Sequence, residues 1–404
     1  MPEPRRLHGI KPGYLVAGAA ALLALTTVIG LWLGVWHGYL DLMVYRLGAQ
    51  TWLDGDDLYG RLPPIGDIRL PFTYPPLAAI AFAPLALMSP GAASALMFLL
   101  SLAAIGLTCW LVLARVAPRT DTGTRLATVL TVLAFAEYCE PVRETLSFGQ
   151  VNAILMAAVA FDVLNRVPRW PRGILIGIAI SIKLTPAGFL LFFLLRRDRR
   201  ALVTTVAAAL ASIGAAWWIA PGDSREYWFS TLAETGRIGA PYFAGNQSLK
   251  GLVFRLGLAE STSTILWLGL SALAVVLAAV WMRRLLADDD PVTALLVNAG
   301  VILLISPVSW THHWVWVVPA VLVALAAIVR GRRDLRFVGV VAFVTILFYV
   351  GPHWLMPSRK DRELAWSWWQ WIVGDLYALV TVTILIVGAW SAFTASRTTR
   401  PAAP

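Results

Sequence analysis

Charge is scarce in this sequence. Only 14% of its 404 residues are Asp, Glu, Lys or Arg, while 58% are hydrophobic. A water-soluble chain of that composition would carry an unsolvated exterior, so a soluble protein is excluded. No hydrophilic stretch is long enough to bury a core of its own, which excludes an appreciable soluble domain. The two cysteines, Cys109 and Cys139, make neither a disulfide framework nor a metal motif. A nucleic-acid-binding module is likewise missing, although the formal net charge of +10 would otherwise suggest one. No small-residue cleavage site follows the first apolar stretch, which therefore reads as a retained span.

What the sequence has instead is a series of apolar runs about 20 residues long, the length that crosses a bilayer as a helix. Such runs predict spans at 13–36, 91–116, 125–139, 149–165, 201–220, 263–284, 291–306, 312–330, 336–351 and 372–393. "YPPLAAIAFAPLALMSP" is too short and too proline-punctuated for a regular span. Basic clusters punctuate the runs, at Arg5/Arg6/Lys11, Arg115/Arg119/Arg125, Arg166/Arg169/Arg172, Arg196/Arg197/Arg199/Arg200, Arg283/Arg284 and Arg330/Arg332/Arg333/Arg336. The positive-inside rule puts these, and both termini, in the cytoplasm, leaving Arg359/Lys360/Arg362 on the opposite side.

Residues 172–200, "RGILIGIAISIKLTPAGFLLFFLLRRDRR", are basic at both ends and carry Lys183, Thr185 and Pro186 between them. Proline restricts the residue before it and removes an amide donor, so a hairpin of two short helices with Lys183 near its tip is expected. Irregular backbone at membrane depth requires surrounding protein or a water-filled cavity. The fold class is then an all-α polytopic bundle of about 10–12 membrane helices, a broken re-entrant hairpin included. One transmembrane domain, 13–393, lies between a cytoplasmic N-terminus, 1–12, and a cytoplasmic tail, 394–404. Outer segments are expected at 37–74, 140–148, 221–262, 307–311 and 352–371.

Most of the unusual polar residues fall in those outer segments or at their edges. Asp41 opens the first, with Tyr45 and Arg46 behind it; it is either a helix end in the headgroup zone or a functional carboxylate. Asp54, Asp56 and Asp57 surround Gly55 and suit a turn. "EYCEPVRETLSFGQVNAIL" offers Arg143 beside two glutamates, then Gln150 and Asn152, whose amides lipid cannot satisfy. Arg143 is open to a local ion pair, and the two amides to ordinary helix–helix hydrogen bonds. An ammonium at the depth of Lys183 calls for an anionic partner or water, and would suit a phosphate; snorkelling to headgroups is the alternative. Lys250 heads an amphipathic stretch in "NQSLKGLVFRL". His312 and His313 stand at a span entrance among tryptophans; adjacent on a helix they diverge, so at most one lines a site.

The ordered pieces "DLMVYRLGAQTWLDGDDLYG", "FTYPPLAAIAFAPLALM", "SFGQVNAILMAAVAF", "GIAISIKLTPAGFLLFFLLRR", "NQSLKGLVFRL" and "SPVSWTHHWVWVVP" run from the first span to the eighth. In that combination the chain resembles the integral-membrane GT-C glycosyltransferases of actinobacteria that include the polyprenol-phosphate-mannose-dependent α-(1→2)-mannosyltransferases. The resemblance implies transfer of mannose from a β-linked polyprenyl-phosphate donor, with inversion, at the outer face of the plasma membrane. Phosphatidylinositol mannosides, lipomannan or lipoarabinomannan are the implied acceptors, and polyprenyl-phosphate arabinofuranose is the alternative donor. The family's aspartate at the start of its first outer loop corresponds to Asp41, the implied general base. Lys183 is the first choice for the donor phosphate, followed by His312 or His313, Lys250 and Arg143, with Tyr45, Gln150 and Asn152 as further substrate-binding candidates. No metal or other cofactor is expected, because a carboxylate base and fixed cations serve the chemistry.

Two readings from other classes compete. A secondary transporter or lipid flippase also uses broken helices, but no internal repeat is seen and the polar residues gather on one face, not at the midplane. A non-enzymatic assembly factor predicts that Asp41 can be replaced without effect.

Overall fold

The computed structural model describes residues 11–398. Arg5, Arg6 and the rest of residues 1–10, like the tail beyond 398, lie outside the described residues. The placing of both termini lies outside them too. The described chain is nearly all helix: α1 (Pro12–Trp32), α2 (Leu40–Leu53), α3 (Pro76–Ala86), α4 (Pro90–Val116), α5 (Thr122–Ala136), α6 (Glu140–Phe148), α7 (Asn152–Leu164), α8 (Ile174–Ile182) and α9 (Leu190–Arg196) form its first half. The second half holds α10 (Arg199–Ile219), α11 (Pro221–Phe229), α12 (Leu249–Phe254), α13 (Glu260–Ala287), α14 (Pro291–Ile305), α15 (Val317–Val329), α16 (Leu335–Val350), α17 (Trp368–Gly374) and α18 (Leu376–Thr398). Local sequence explains many of the starts. Asp121, Asp198, Asp290 and Asp334 accept from amides in the first turns of α5, α10, α14 and α16. Prolines occupy the first helical position of α1, α3, α4, α11 and α14, where no amide donor is needed.

Among the described residues six helices are long and apolar enough to cross a membrane, and a seventh span arises if the bent pair α6–α7 counts as one. The remaining expected spans are shorter apolar helices of 10–17 residues, among them α5, α14 and α16. The stretch 140–148, expected as a loop, is the helix α6, which meets α7 at 116°. Gly149 makes that bend with φ +66°, and the Gly149 and Gln150 amides close α6 on Leu146 O at 3.3 Å and Thr145 O at 3.0 Å. This is the left-handed glycine ending of a helix. A Cβ at Gly149 would sit 2.7 Å from Cβ of Leu42 on α2, so close approach as well as φ requires glycine.

The second break falls at Lys183. Helix α8 ends there, and a 3-10 turn, Thr185–Phe189, leads into α9. Arg172 and Arg196, at the two outer ends of this stretch, lie close enough to repel each other and also feel Arg115. The two basic ends are therefore together, and the intervening chain turns back as a hairpin with Lys183 at the break. Helix α8 lies against α10 through a stripe of small residues. A Cβ on Gly177 would stand 2.6 Å from Thr205 O, and one turn later Ser181 Oγ donates to Ala209 O at 3.1 Å. Small residues at this spacing let two membrane helices approach backbone to backbone.

Two hydrophobic clusters result. The larger joins α4–α9 to α12–α15 and α18; the smaller is built around α2, α3 and the connection between them, with Tyr45, Phe72 and Phe82 inside. The segments expected outside bind one another. Tyr39 N donates to Ser147 O at 2.8 Å and Thr145 Oγ1 to His312 O at 2.9 Å. Gln247 N donates to Ser309 O at 2.9 Å, and Trp354 Nε1 to the Glu140 carboxylate at 2.8 Å.

Candidate active site

Asp41 and Tyr45 are one turn apart on α2 and share a face, whereas Arg46 turns away and ties down the end of α3 through Leu85 O and Met88 O. Gln150 and Asn152 are delivered by the bend at Gly149, Lys183 by the end of α8, and His313 by the 3-10 turn Thr311–Trp316 before α15. These four sources meet at one place.

Gln150 Nε2 donates to the Asp41 carboxylate, and its Oε1 accepts from Tyr45 Oη at 2.8 Å. Tyr45 Oη lies 2.9 Å from Tyr74 Oη. Lys183 Nζ donates to Asn152 Oδ1 at 2.8 Å, stands 3.2 Å from His313 Nε2, and lies 5.4 Å from the centre of the Tyr74 ring. Tyr74 therefore connects a carboxylate side of the site with an ammonium side. Asp41, Tyr74, Lys183 and His313 keep part of their surface, whereas Tyr45, Gln150 and Asn152 are buried behind them. A small cavity of about 50 Å³ continues past Lys183, Asn152 and His313 between the apolar walls of Met156, Phe189 and Trp316.

Burial pushes the Asp41 carboxyl up to about 6, against the opposing effects of the Gln150 hydrogen bond and the Lys183 charge. Asp41 is then poised between its two protonation states close to neutrality, as a general base should be. Burial likewise raises the phenol of Tyr74, with the Asp41 charge adding to the effect, so Tyr74 stays a neutral hydrogen-bonding group.

Not every candidate arrives. Lys250 is held over the rings of Phe254 and Trp267, at 5.3 and 5.0 Å, and feels the charge of Glu260. Arg143 pairs with Glu144 at 3.3 Å. The adjacent histidines separate in role: His313 reaches Lys183, while His312 sets its ring edgewise on Phe148 at 5.3 Å. The His312 carbonyl accepts from Thr145 and Asn152, so this residue braces the bend. Asp54, Asp56 and Asp57 are exposed at the turn after α2, where the Asp57 carboxylate accepts from the Tyr59 amide at 3.0 Å. Among the described residues no three His, Cys, Asp or Glu side chains gather as a metal site.

Sequence reasoning gave no role to Tyr74. Its signal is position: it immediately precedes Pro75-Pro76, which starts α3 and fixes the chain direction, while Tyr59 Oη holds its carbonyl at 2.9 Å.

A polytopic helical membrane protein with a half-buried carboxylate facing a half-buried ammonium across a tyrosine is the class that fold and site define. Residues 72–307 match Glycosyltransferase family 87. A polyprenol-phosphate-mannose-dependent alpha-(1-2)-phosphatidylinositol mannoside mannosyltransferase of Mycolicibacterium smegmatis is 40% identical, over 86% of this chain and 83% of its own length. A polyprenol-phosphate-mannose-dependent alpha-(1-2)-phosphatidylinositol pentamannoside mannosyltransferase of the same organism is 32% identical, over 97% of this chain and 93% of its own length. An alpha-(1->3)-arabinofuranosyltransferase of Corynebacterium glutamicum is 25% identical, over 64% of this chain and 60% of its own length. No solved structure matches. The chain belongs to glycosyltransferase family 87, and it is a multi-pass membrane glycosyltransferase. That membership removes the transporter and assembly-factor readings.

Proposed function

We propose that this enzyme transfers mannose from polyprenyl-phosphate mannose to a phosphatidylinositol mannoside, forming an α-(1→2) linkage at the outer face of the plasma membrane. The observation that carries the reading is the opposition of Asp41 and Lys183 across Tyr74. Donor and acceptor are taken from the relatives, since both mannosyltransferases cover far more of the chain, at higher identity, than the arabinofuranosyltransferase does. An arabinofuranose donor is accordingly the second reading.

In this reading the acceptor hydroxyl attacks the anomeric carbon of the donor from the face opposite the phosphate. Its proton passes to an Asp41 carboxylate oxygen as the new carbon–oxygen bond forms. The bond from the anomeric carbon to the phosphate oxygen breaks, its electron pair goes to that oxygen, and polyprenyl phosphate leaves. Lys183 stabilises the charge growing there, with Asn152 and His313 holding the ammonium in place. Fixed positive charge at the phosphate means that the step calls for no metal. Lys250 and Arg143, engaged elsewhere, are left out of this assignment.

The test is mannose transfer by the purified protein in nanodiscs, with wild type and Asp41→Asn side by side and folding checked for both. Wild type is expected to transfer mannose, and Asp41→Asn to fall by about 10²–10⁴-fold. Equal rates would move the base elsewhere. If wild type works with polyprenyl-phosphate arabinofuranose and not with the mannose donor, the second reading replaces the first.

A further inference from the structure

Gln150 is buried at 3% exposure and both ends of its amide are engaged. An ionised carboxylate can only accept hydrogen bonds, so the amide must present its NH2 to Asp41 and its carbonyl to Tyr45. The Tyr45 hydroxyl has one proton, which it gives to that carbonyl at 2.8 Å. The contact of 2.9 Å between Tyr45 and Tyr74 is then one in which Tyr74 donates. The chain runs in one direction, from Tyr74 through Tyr45 and Gln150 to Asp41, and every donor in it faces the carboxylate. An amide flip would bring Oε1 against the ionised carboxylate, so the Asp41 charge fixes the orientation, and the Tyr45 hydroxyl, itself held by Tyr74, supports it from the other end.

We infer that Gln150, its amide supported by Tyr45 and Tyr74, is a positioning residue that holds Asp41 aimed and ionised for proton abstraction and does not itself bind substrate. Its other polar neighbours support this. Gln150 lies buried behind Asp41 and Tyr74, and the groups that retain exposure are Asp41, Tyr74, Lys183 and His313. The inference rests on Asp41 being the base, as proposed above. The titratable groups facing Asp41 are Lys183, Tyr45 and Tyr74. Gln150 supplies the neutral donor, and its loss leaves the burial of Asp41 less opposed.

The sign of the effect follows. A hydrogen bond to the charged form favours ionisation, so removing it drives the carboxyl to a higher pKa and leaves less base at low pH. Wild-type kcat/KM is expected to rise through about pH 6 and then level off. In Gln150→Leu the rise should move to higher pH. For a displacement of one pH unit its rate should be down about fivefold at pH 6, nearing tenfold at more acid pH, and approach wild type by about pH 8. Gln150→Glu, which sets a second carboxylate against Asp41, should move the rise further, and Tyr45→Phe should move it the same way by less.

The experiment is the pH profile of mannose transfer for wild type and these variants in nanodiscs, with KM for donor and acceptor measured at each pH. A loss of equal size at every pH, or one confined to KM, would overturn the inference and make Gln150 a substrate ligand. If Gln150→Leu does not fold, Tyr45→Phe decides, because an unmoved profile there shows that the amide's orientation does not govern the base. Failure of the underlying reading is separately visible: an Asp41→Asn enzyme as active as wild type removes the base, whatever Gln150 does.

Discussion

At the scale of single residues, the site separates two charges that would otherwise neutralise each other. Asp41 is satisfied by Gln150, and Lys183 by Asn152 and His313, with Tyr74 between them. Each charge thus has neutral partners that orient it and leave it free for a reacting group. Lys183→Gln should lower turnover by about 10²–10³-fold, the usual loss when a donor to a developing oxyanion is removed. Measured across pH, that loss should persist where the Gln150→Leu loss has vanished. A leaving group stabilised elsewhere would show as near-normal turnover in Lys183→Gln. Asp41 and Lys183 were legible in the sequence because charge is costly at or near membrane depth. Tyr74 was not, because an aromatic residue beside a membrane has an ordinary interfacial use.

At the scale of elements, two helix breaks carry the site. Gly149 turns α6 into α7 and delivers Gln150 and Asn152; Lys183 closes α8 where the hairpin turns back. Breaking a helix frees backbone groups, and each break spends them locally, on Leu146 and Thr145 carbonyls at the first and a 3-10 turn at the second. Gly149→Ala places a Cβ at left-handed φ and against Leu42, at a backbone cost of about 1–2 kcal/mol before relaxation. Transfer assays and thermal unfolding on the same sample should show activity falling more than tenfold while most of the protein remains folded, with the bend and its two amides displaced. Unchanged activity would mean that the bend tolerates a shift and that α2 alone positions the base. The hairpin could be anticipated, since basic residues at both ends and Pro186 within leave a single membrane-depth stretch little choice. The bend at Gly149 could not, because a glycine between a polar and an apolar stretch reads equally well as a loop.

At the scale of the molecule, the segments between the long helices are tied to one another by hydrogen bonds. One of these ties is a fully buried ion pair that touches none of the residues of the candidate site. Arg255, fully buried, pairs with Asp375 at the head of α18 and also donates to the carbonyls of Phe243 and Asn246, both at 2.9 Å. Asp375→Asn leaves that guanidinium buried without its counter-charge, which is expected to cost about 3–5 kcal/mol. Thermal unfolding in detergent should fall accordingly, while transfer per folded molecule stays close to wild type. A loss of transfer without a loss of stability would instead connect this tie to the active site.

Composition alone determined that the chain lives in a membrane, because 58% apolar residues leave no soluble exterior, and the basic residues at both ends of 172–200 already implied that this stretch turns back. The pieces "DLMVYRLG", "GQVNAIL" and "SIKLTP" already held Asp41, Gln150, Asn152 and Lys183. Which of the many polar residues meet was decided only in three dimensions. Lys250 and Arg143 are as cationic as Lys183, yet rings and a neighbouring glutamate hold them elsewhere, and Tyr74 enters the site across a distance in sequence that no local pattern encodes. Charge and hydropathy are properties of residues and can be read one at a time. A hydrogen-bonded chain from Tyr74 to Asp41 depends on four side chains from separate turns of backbone arriving within about 3 Å of one another, and packing alone sets that.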